Sequence, residues 1–450
     1  MTTLHAHSPE DRLKPIMPRL KQAIRDSALR QPKGRVRRLL GVVVHATVSQ
    51  VRIGEVCHLV DPITDRKVLA EVIALTDESA ILMPVGDLQG LSSLTEVVPT
   101  GHELRVPVGD GLLGRVISAL GEPLDGEAWP PADIDGVHPV VAPPPAPFAR
   151  ALISEPIRFG IRVLDGLVTC ARGQRIGIFG GPGAGKSTLL AKIVRGTDAD
   201  VVVVALVGER GREVREFVER QLGPDGRARA VVVAATSDRS AMERVKAAHV
   251  ATAIAESFRD RGRHVLLLVD SITRFARAQR EIGLAAGEPP TRRGFPPSLF
   301  AALPRLLERA GALDRGSITA VYTVLVEGEL GLDPVAEEVQ AILDGHVVLS
   351  NELAERNHFP AVDVLRSRSR LMDAVTSRQH QADAARIREL LARHADVELL
   401  LRVGEYRKGS DVVADEAIAR VDRINAFLRQ TADEHASLED TRRLMREILS

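Results

Sequence analysis

The sequence predicts an α/β protein in three parts: a small N-terminal β-barrel, a core on a mostly parallel sheet, and a C-terminal helical domain. Three observations predict it. Residues 35–105 hold short runs rich in Val, Ile and Leu, separated by turn signals. From about 156 to 350, near-continuous apolar runs alternate with helical patterns, as expected of parallel strands covered on both faces. After about 376, apolar residues recur at helical spacing with charged residues between them.

Residues 1–34 carry Pro9, Pro15, Pro18 and Pro32, with Leu20, Ile24 and Ala28 at helical spacing beside Arg19, Lys21 and Arg25. Two readings stay open for this segment, a short amphipathic helix that docks on a partner and a poorly ordered terminus. The barrel domain is assigned to 35–105. Leu39–Val48, Gly54–Val60 and Val68–Leu75 are its strand-rich stretches, and Asp61-Pro62 and Gly86-Asp87 are turns. Pro143-Pro144-Pro145 and Pro147 cannot lie in a helix interior, so this segment reads as an extended surface connector. The core is assigned to 106–375, with strands at Ile176–Phe179, Val201–Val207, Ala230–Ala235, Val265–Val269 and Ile318–Val326. In the helical domain, 376–450, Ile387, Leu390, Leu391 and His394 share one face, and Ile418, Val421, Ile424 and Leu428 share another.

Composition excludes several classes. The 450 residues carry 60 basic and 60 acidic side chains, so no global charge draws the chain to nucleic acid or an anionic membrane. Cys57 and Cys170 are too few for a disulfide framework and lack metal-ligand spacing, which fits a reducing cytoplasm. No apolar run approaches the roughly 18 residues of a bilayer span, and the N-terminus lacks the apolar core of a secretory signal. Any membrane association is therefore expected through partners.

The chemistry centres on Gly180-Gly181-Pro182-Gly183-Ala184-Gly185-Lys186-Ser187, which follows an apolar strand and opens a helix continuing through Thr188. Glycines let successive backbone N–H groups turn around a phosphate, and the helix N-terminus adds donors and partial positive charge. Gly181, Pro182, Gly183, Ala184, Gly185, Lys186, Ser187 and Thr188 are the expected nucleotide cradle. Lys186 is expected on the β- and γ-phosphates, and Ser187 on Mg²⁺. Asp270 ends the apolar strand Val265–Val269 and is expected to help hold Mg²⁺. Glu209, after Val201–Val207, is placed to activate water as a general base, and Arg210 to neutralise phosphoryl charge. From composition alone, a charged surface loop explains Glu209 and Arg210 equally well. Arg370, in Ser367-Arg368-Ser369-Arg370, matters only if it reaches a neighbouring subunit's phosphates.

Together these residues resemble the rotary and secretion ATPases, which include ATP synthase catalytic subunits and the export ATPases of flagella and type III secretion. The resemblance covers about 35–440 and includes Gly111–Gly126, the phosphate loop, Gly208-Glu209-Arg210, Asp270–Ala276 and Pro360–Ser369. It implies a P-loop NTPase core of RecA-like type. It also implies that Glu209 is the catalytic glutamate, Arg210 a γ-phosphate contact, Arg370 an arginine donated to the next subunit, and Phe359 an aromatic on the adenine ring. Arg274 resembles an arginine near the phosphates. Glu288–Ser298 and Leu306–Gly311 look like the export branch, and Asp363-Val364-Leu365-Arg366-Ser367 like its injectisome members rather than the flagellar ones. Leu330, in Glu327–Pro334, departs from that branch's consecutive acids.

The implied function is a homohexameric, ATP-hydrolysing export ATPase at the cytoplasmic base of a type III secretion apparatus, peripheral to the inner membrane. Its implied partners are a stator-like regulator, a coiled-coil stalk, a cytoplasmic ring and chaperone–substrate complexes, with no nucleic acid. A flagellar export ATPase is the nearest alternative. An RNA-translocating ring would want an aromatic-rich barrel, and 35–105 contains no Phe, Tyr or Trp. Glu209 argues against a non-hydrolysing regulatory subunit.

Overall fold

The computed structural model describes Met17 and residues 33–77, 79–129, 134–326, 328 and 330–450. The amphipathic helix considered for 1–34 falls almost wholly outside them, as do Glu327 and Glu329 of the loop at 327–334.

Among the described residues, two compact units divide at the end of the barrel. The first comprises residues up to Pro84 together with Leu88–His102. Its strands are β1 (Gly34–Leu40), β2 (Val43–Thr47), β3 (Glu55–Val60), β4 (Lys67–Leu75), β5 (Ala80–Val85) and β6 (Glu96–Glu103). They close in the order β1-β2-β5-β4-β3-β6. Alternation explains the interior. Val68, Ala70 and Val72 of β4 point inward with Val44, Ala46, Leu59 and Leu82, while the intervening residues meet solvent. Asp61 is buried after β3 and accepts N–H bonds from Ile63, Thr64 and Ser92.

The second unit holds the sheet and the C-terminal helices together, so the expected helical domain packs as part of the core. Strands β7 (Arg105–Val108), β8 (Val116–Ser118) and β9 (Gly136–Pro139) come first. The short helix α1 (Arg162–Leu167) leads into β10 (Arg175–Gly180) and α2 (Lys186–Gly196). Then follow β11 (Val201–Val207), α3 (Gly211–Glu216), β12 (Ala230–Ala235), α4 (Ala241–Asp260), β13 (His264–Asp270), α5 (Ile272–Ala285) and α6 (Pro297–Leu307). Strands β14 (Gly311–Ala312), β15 (Ser317–Leu325), β16 (Gly345–Leu349) and β17 (Val362–Ser369) complete the sheet. The chain ends in α7 (Arg378–Arg402), α8 (Val412–Leu428) and α9 (Leu438–Leu449).

The sheet order is β17-β16-β10-β15-β13-β11-β12-β8, with β14 against β15; β7 pairs with β9 separately. Every neighbour pair along the main path is parallel except β16–β17. Each of the five predicted strands is present; β15 ends at Leu325, one residue before the expected Val326. All seven residues of β11 are buried, which is why its sequence shows no alternation. The predicted face of α7 is buried at Ile387 and Leu390. In α8 the inward face is Ala414, Ala417, Ile424, Phe427 and Leu428, and Ile418 lies at its margin.

Parallel register decides where the chemistry lies. Gly180 pairs with Leu325, Val269 with Tyr322, and Leu206 with Asp270, so the carboxyl ends of β10, β15, β13 and β11 share one edge. Strand β17 runs the other way. Its last residue, Ser369, pairs with Gly345, and Arg370 donates its N–H to Asp344 O at 2.9 Å. Asp344 in turn donates its N–H to Arg175 O at the start of β10. Arg370 therefore lies at the amino-end edge. The length of β10, about 16 Å at ~3.3 Å per residue, separates it from the start of the phosphate loop.

Candidate active site

The loop between β10 and α2 has the backbone its glycines permit. Gly185 has φ of +80° and caps α2; a Cβ there would meet the Phe359 ring at 3.1 Å. Phe359 thus packs directly against the loop, although it lies 174 positions further on (359 − 185). Ala184 is buried, while Pro182, Gly183, Ser187 and Thr188 are exposed around the mouth.

Lys186 reaches across the strand ends to Asp270, Nζ to Oδ1 at 2.8 Å, and both side chains are largely buried. Thr323 Oγ1 donates to the same Oδ1 at 2.7 Å and so fixes the carboxylate. Nothing in the residue pattern marks Thr323: it is an ordinary β15 residue until register puts it beside Asp270. Glu209 stands at the end of β11, and Arg274 of α5 pairs with it, Nε to Oε1 at 3.0 Å. A Cβ on Gly208 would lie 2.8 Å from Arg274 Cδ, so the glycine is what lets this arginine cross the strand end. Burial, with the Asp270 carboxylate adding to it, pushes Glu209 up to about 7 against the pull of Arg274. Glu213, one turn along in α3, shares a hydrogen bond with Glu209.

Arg210 is placed differently from the expectation of a phosphate contact. Its side chain is 75% exposed and pairs with Glu213 at 3.2 Å. It is the N-cap of α3, and that turn directs it outward. In this subunit Arg274 is the arginine beside Glu209. Arg370 is exposed at the far edge of the sheet.

Two of the cavities beside the loop bear on nucleotide binding. One of about 270 Å³ is lined by Ser187, Glu209, Glu213, Glu216 and Asp270, with Arg212 as its one cation. Its hydroxyl and carboxylate oxygens are the hard donors that Mg²⁺ takes, usually with one or two carboxylates and substrate phosphates. The other, about 490 Å³, is lined by Gly185, Thr188, Lys192, Phe359, Arg429 and Thr431. Lys192 Nζ donates to Thr431 O at 2.6 Å, and burial pulls this lysine down to about 8. Gln430 donates its N–H to Phe359 O at 2.9 Å, so the segment after α8 is fixed as a wall of the pocket. Arg162 reinforces it with bonds to Phe427 O and the Glu434 carboxylate. An aromatic face and a polar wall beside a phosphate loop suit a nucleotide base.

A strand–loop–helix cradle, a strand-end carboxylate and a second strand-end acid, all on one parallel-sheet edge, define a P-loop nucleoside triphosphatase. Comparison with known proteins specifies it further. Residues 160–369 match the ATP synthase alpha/beta family nucleotide-binding domain, 36–101 its beta-barrel domain, and 376–447 the C-terminal domain of the type III secretion ATPase EscN. The type 3 secretion system ATPase of Sinorhizobium fredii is 55% identical over 429 residues, 95% of each chain. The flagellum-specific ATP synthase of Bacillus subtilis is 49% identical over 411 residues, 91% of this chain and 93% of that one. The assembled ATPase EscN of enteropathogenic E. coli superposes with a TM-score of 0.88 at 45% identity, over 93% of this chain and all of that one. EscN in complex with its central stalk EscO gives 0.85 at the same identity and coverage. The chain belongs to the type III secretion ATPase family, within the ATP synthase alpha/beta superfamily, and is an ATPase.

Proposed function

We propose that this chain energises type III protein secretion as a homohexamer whose ATP sites are each completed by the next subunit. One observation carries the reading. Lys186, Asp270 and Glu209 converge on one sheet edge, while Arg370 stands on the opposite edge with no hydrogen bond or ion pair of its side chain among the described residues. A subunit supplies the two halves of a site but cannot bring them together.

In this mechanism the loop N–H groups and Lys186 bind the β- and γ-phosphates, and Phe359 packs on the base. Ser187 and Asp270 hold Mg²⁺, which screens phosphate charge when bound. Lys186 exchanges its present carboxylate partner for phosphate oxygens. Glu209, ionised, orients the attacking water and accepts its proton. Arg274 keeps that carboxylate aimed and charged. Arg370 of the neighbouring copy meets the charge that develops on the phosphoryl oxygens. Arg210 acts only if assembly turns it inward.

The tip between α7 and α8 exposes Leu399, Leu400, Val403 and Val412, an apolar end suited to a coiled-coil stalk. EscN is solved in complex with its central stalk EscO. A stator-like regulator, a cytoplasmic ring and chaperone–substrate complexes complete the proposed partners. No helix among the described residues is long and apolar enough to cross a membrane. The proposed location, cytoplasmic and peripheral to the inner membrane, thus depends on those partners. The injectisome reading is favoured over the flagellar one by Asp363–Ser367, with two type 3 secretion system ATPases at 55% identity in support.

The test is ATP turnover per subunit against protein concentration. Specific activity should rise with assembly, and Lys186→Ala should abolish it. Turnover that stays constant down to a demonstrated monomer would defeat the shared-site mechanism.

A further inference from the structure

We propose that Phe148 and Leu152 are the apolar anchor by which one copy of this chain seats on the next, on the edge that carries Arg370. The inference rests on the shared-site reading above and deepens it by naming the surface that docks.

Phe148 is fully exposed (104%) and Leu152 nearly so (96%), more than any other large apolar side chain among the described residues. Their backbone is nevertheless held. Arg150, between them, donates to Ala310 O at 3.0 Å and pairs with the Glu308 carboxylate at 3.0 Å. Ala151 N–H donates to Ala312 O at 3.0 Å. A phenyl ring and an isobutyl group are thus presented to water by a braced segment, the arrangement of a pre-organised contact rather than a loose loop.

The brace leads to Arg370. Glu308 also pairs with Arg175, and Arg175 grips Asp344 through Nε and Nη2, both at 3.1 Å. The carbonyl of Asp344 accepts the Arg370 N–H. Phe148, Leu152 and Arg370 consequently belong to one edge of the sheet, the edge away from this subunit's own phosphate loop. The occupant that fits is a second copy. Its cavity at Ser187 is lined by four carboxylates, Glu209, Glu213, Glu216 and Asp270, against the single cation Arg212; with Lys186 on Asp270 and Arg274 on Glu209, the acids of Glu213 and Glu216 remain as the complement to the unpaired guanidinium. Such a contact uses two different faces, so it is head-to-tail and closes a ring if the rotation allows.

The experiment uses the full chain carrying Phe148→Ser and Leu152→Ser together. Both side chains are in water, so their loss leaves no cavity, and the melting temperature at monomer concentrations should match wild type. Mass by light scattering and ATP turnover are followed across concentration, with binding of a fluorescent ADP analogue measured at monomer concentrations. The concentration for half-maximal activity should rise by roughly tenfold or more, as for loss of an interface hot spot, while ADP-analogue affinity stays within about twofold. Wild-type assembly and turnover curves for the variant would overturn the anchor and leave the shared site standing. If wild type itself hydrolyses ATP fully as a monomer, the shared site fails, and the anchor with it.

Discussion

Replacing Arg370 by alanine separates a shared site from a self-sufficient one, because the two differ by orders of magnitude. Arg370 lies beside Asp344, at the far end of β10 from the phosphate loop. Acting within its own subunit across about 16 Å, a unit charge is worth about 0.3 kcal/mol in water, less than a twofold change in rate. Acting in contact with a neighbour's phosphoryl oxygens, an arginine is worth about 10³-fold or more, some 4 kcal/mol or above. The side chain has no bonds among the described residues, so the alanine variant should fold, melt and bind ADP as wild type does. Its steady-state turnover, measured above the assembly concentration with mass confirmed by light scattering, should fall by about three orders of magnitude. Lysine should restore little, since it lacks the planar fork. Mixing gives the decisive control. Arg370→Ala and Glu209→Gln subunits are each inactive alone, but in random rings about one interface in four joins an intact Glu209 to an intact Arg370. Recovery toward a quarter of wild-type activity is the expected result. An assembled Arg370→Ala variant within about threefold of wild type, or no recovery on mixing, would refute the reasoning.

Two further outcomes follow from side-chain environments. Glu209 must be ionised to accept a proton, and its environment puts its titration at about 7, so kcat/KM should climb as pH rises through that value. Arg274 favours the carboxylate; Arg274→Ala raises the Glu209 pKa further and should move the ascending limb alkaline by about one pH unit, and an unmoved limb would remove Arg274 from this role. Arg309 and Glu256 form a buried pair, Nη2 to Oε2 at 2.5 Å with side chains 1% and 4% exposed. Arg309→Met leaves the carboxylate with only His138 at 3.8 Å and should cost about 3–5 kcal/mol in chemical denaturation, part of it regained when Glu256→Gln is added; an unaltered midpoint for the single variant would show that His138 compensates the carboxylate.

What could be read in the chain, and what could not, divides along a physical line. Apolar runs such as Val201–Val207 announce buried parallel strands because burial on both faces permits nothing else, and a glycine-rich loop between strand and helix has few other uses. Side-chain direction is less legible. Arg210 follows Glu209 in sequence, yet the helix begun there turns it to solvent, whereas Arg274, 65 positions on (274 − 209), is delivered to Glu209 by strand register. Thr323 is invisible for the same reason. Several stretches that carry the family resemblance prove to be braces. Arg115 clasps Asp125 within Gly111–Gly126, and Arg309 serves Glu256 from Leu306–Gly311. In the signature at 360–370, Asp363 accepts N–H bonds from Leu365 and Arg366, and Ser367 Oγ bonds to Asp363 O and Val348 N. These bonds accompany the β16–β17 irregularity between His346 and Val348. A motif built to hold an edge strand in a bulged register also fixes what stands at its end, and what stands there is Arg370. In the proposed ring its side chain meets a neighbour's phosphates, so within one subunit that arginine stands as a solvated charge.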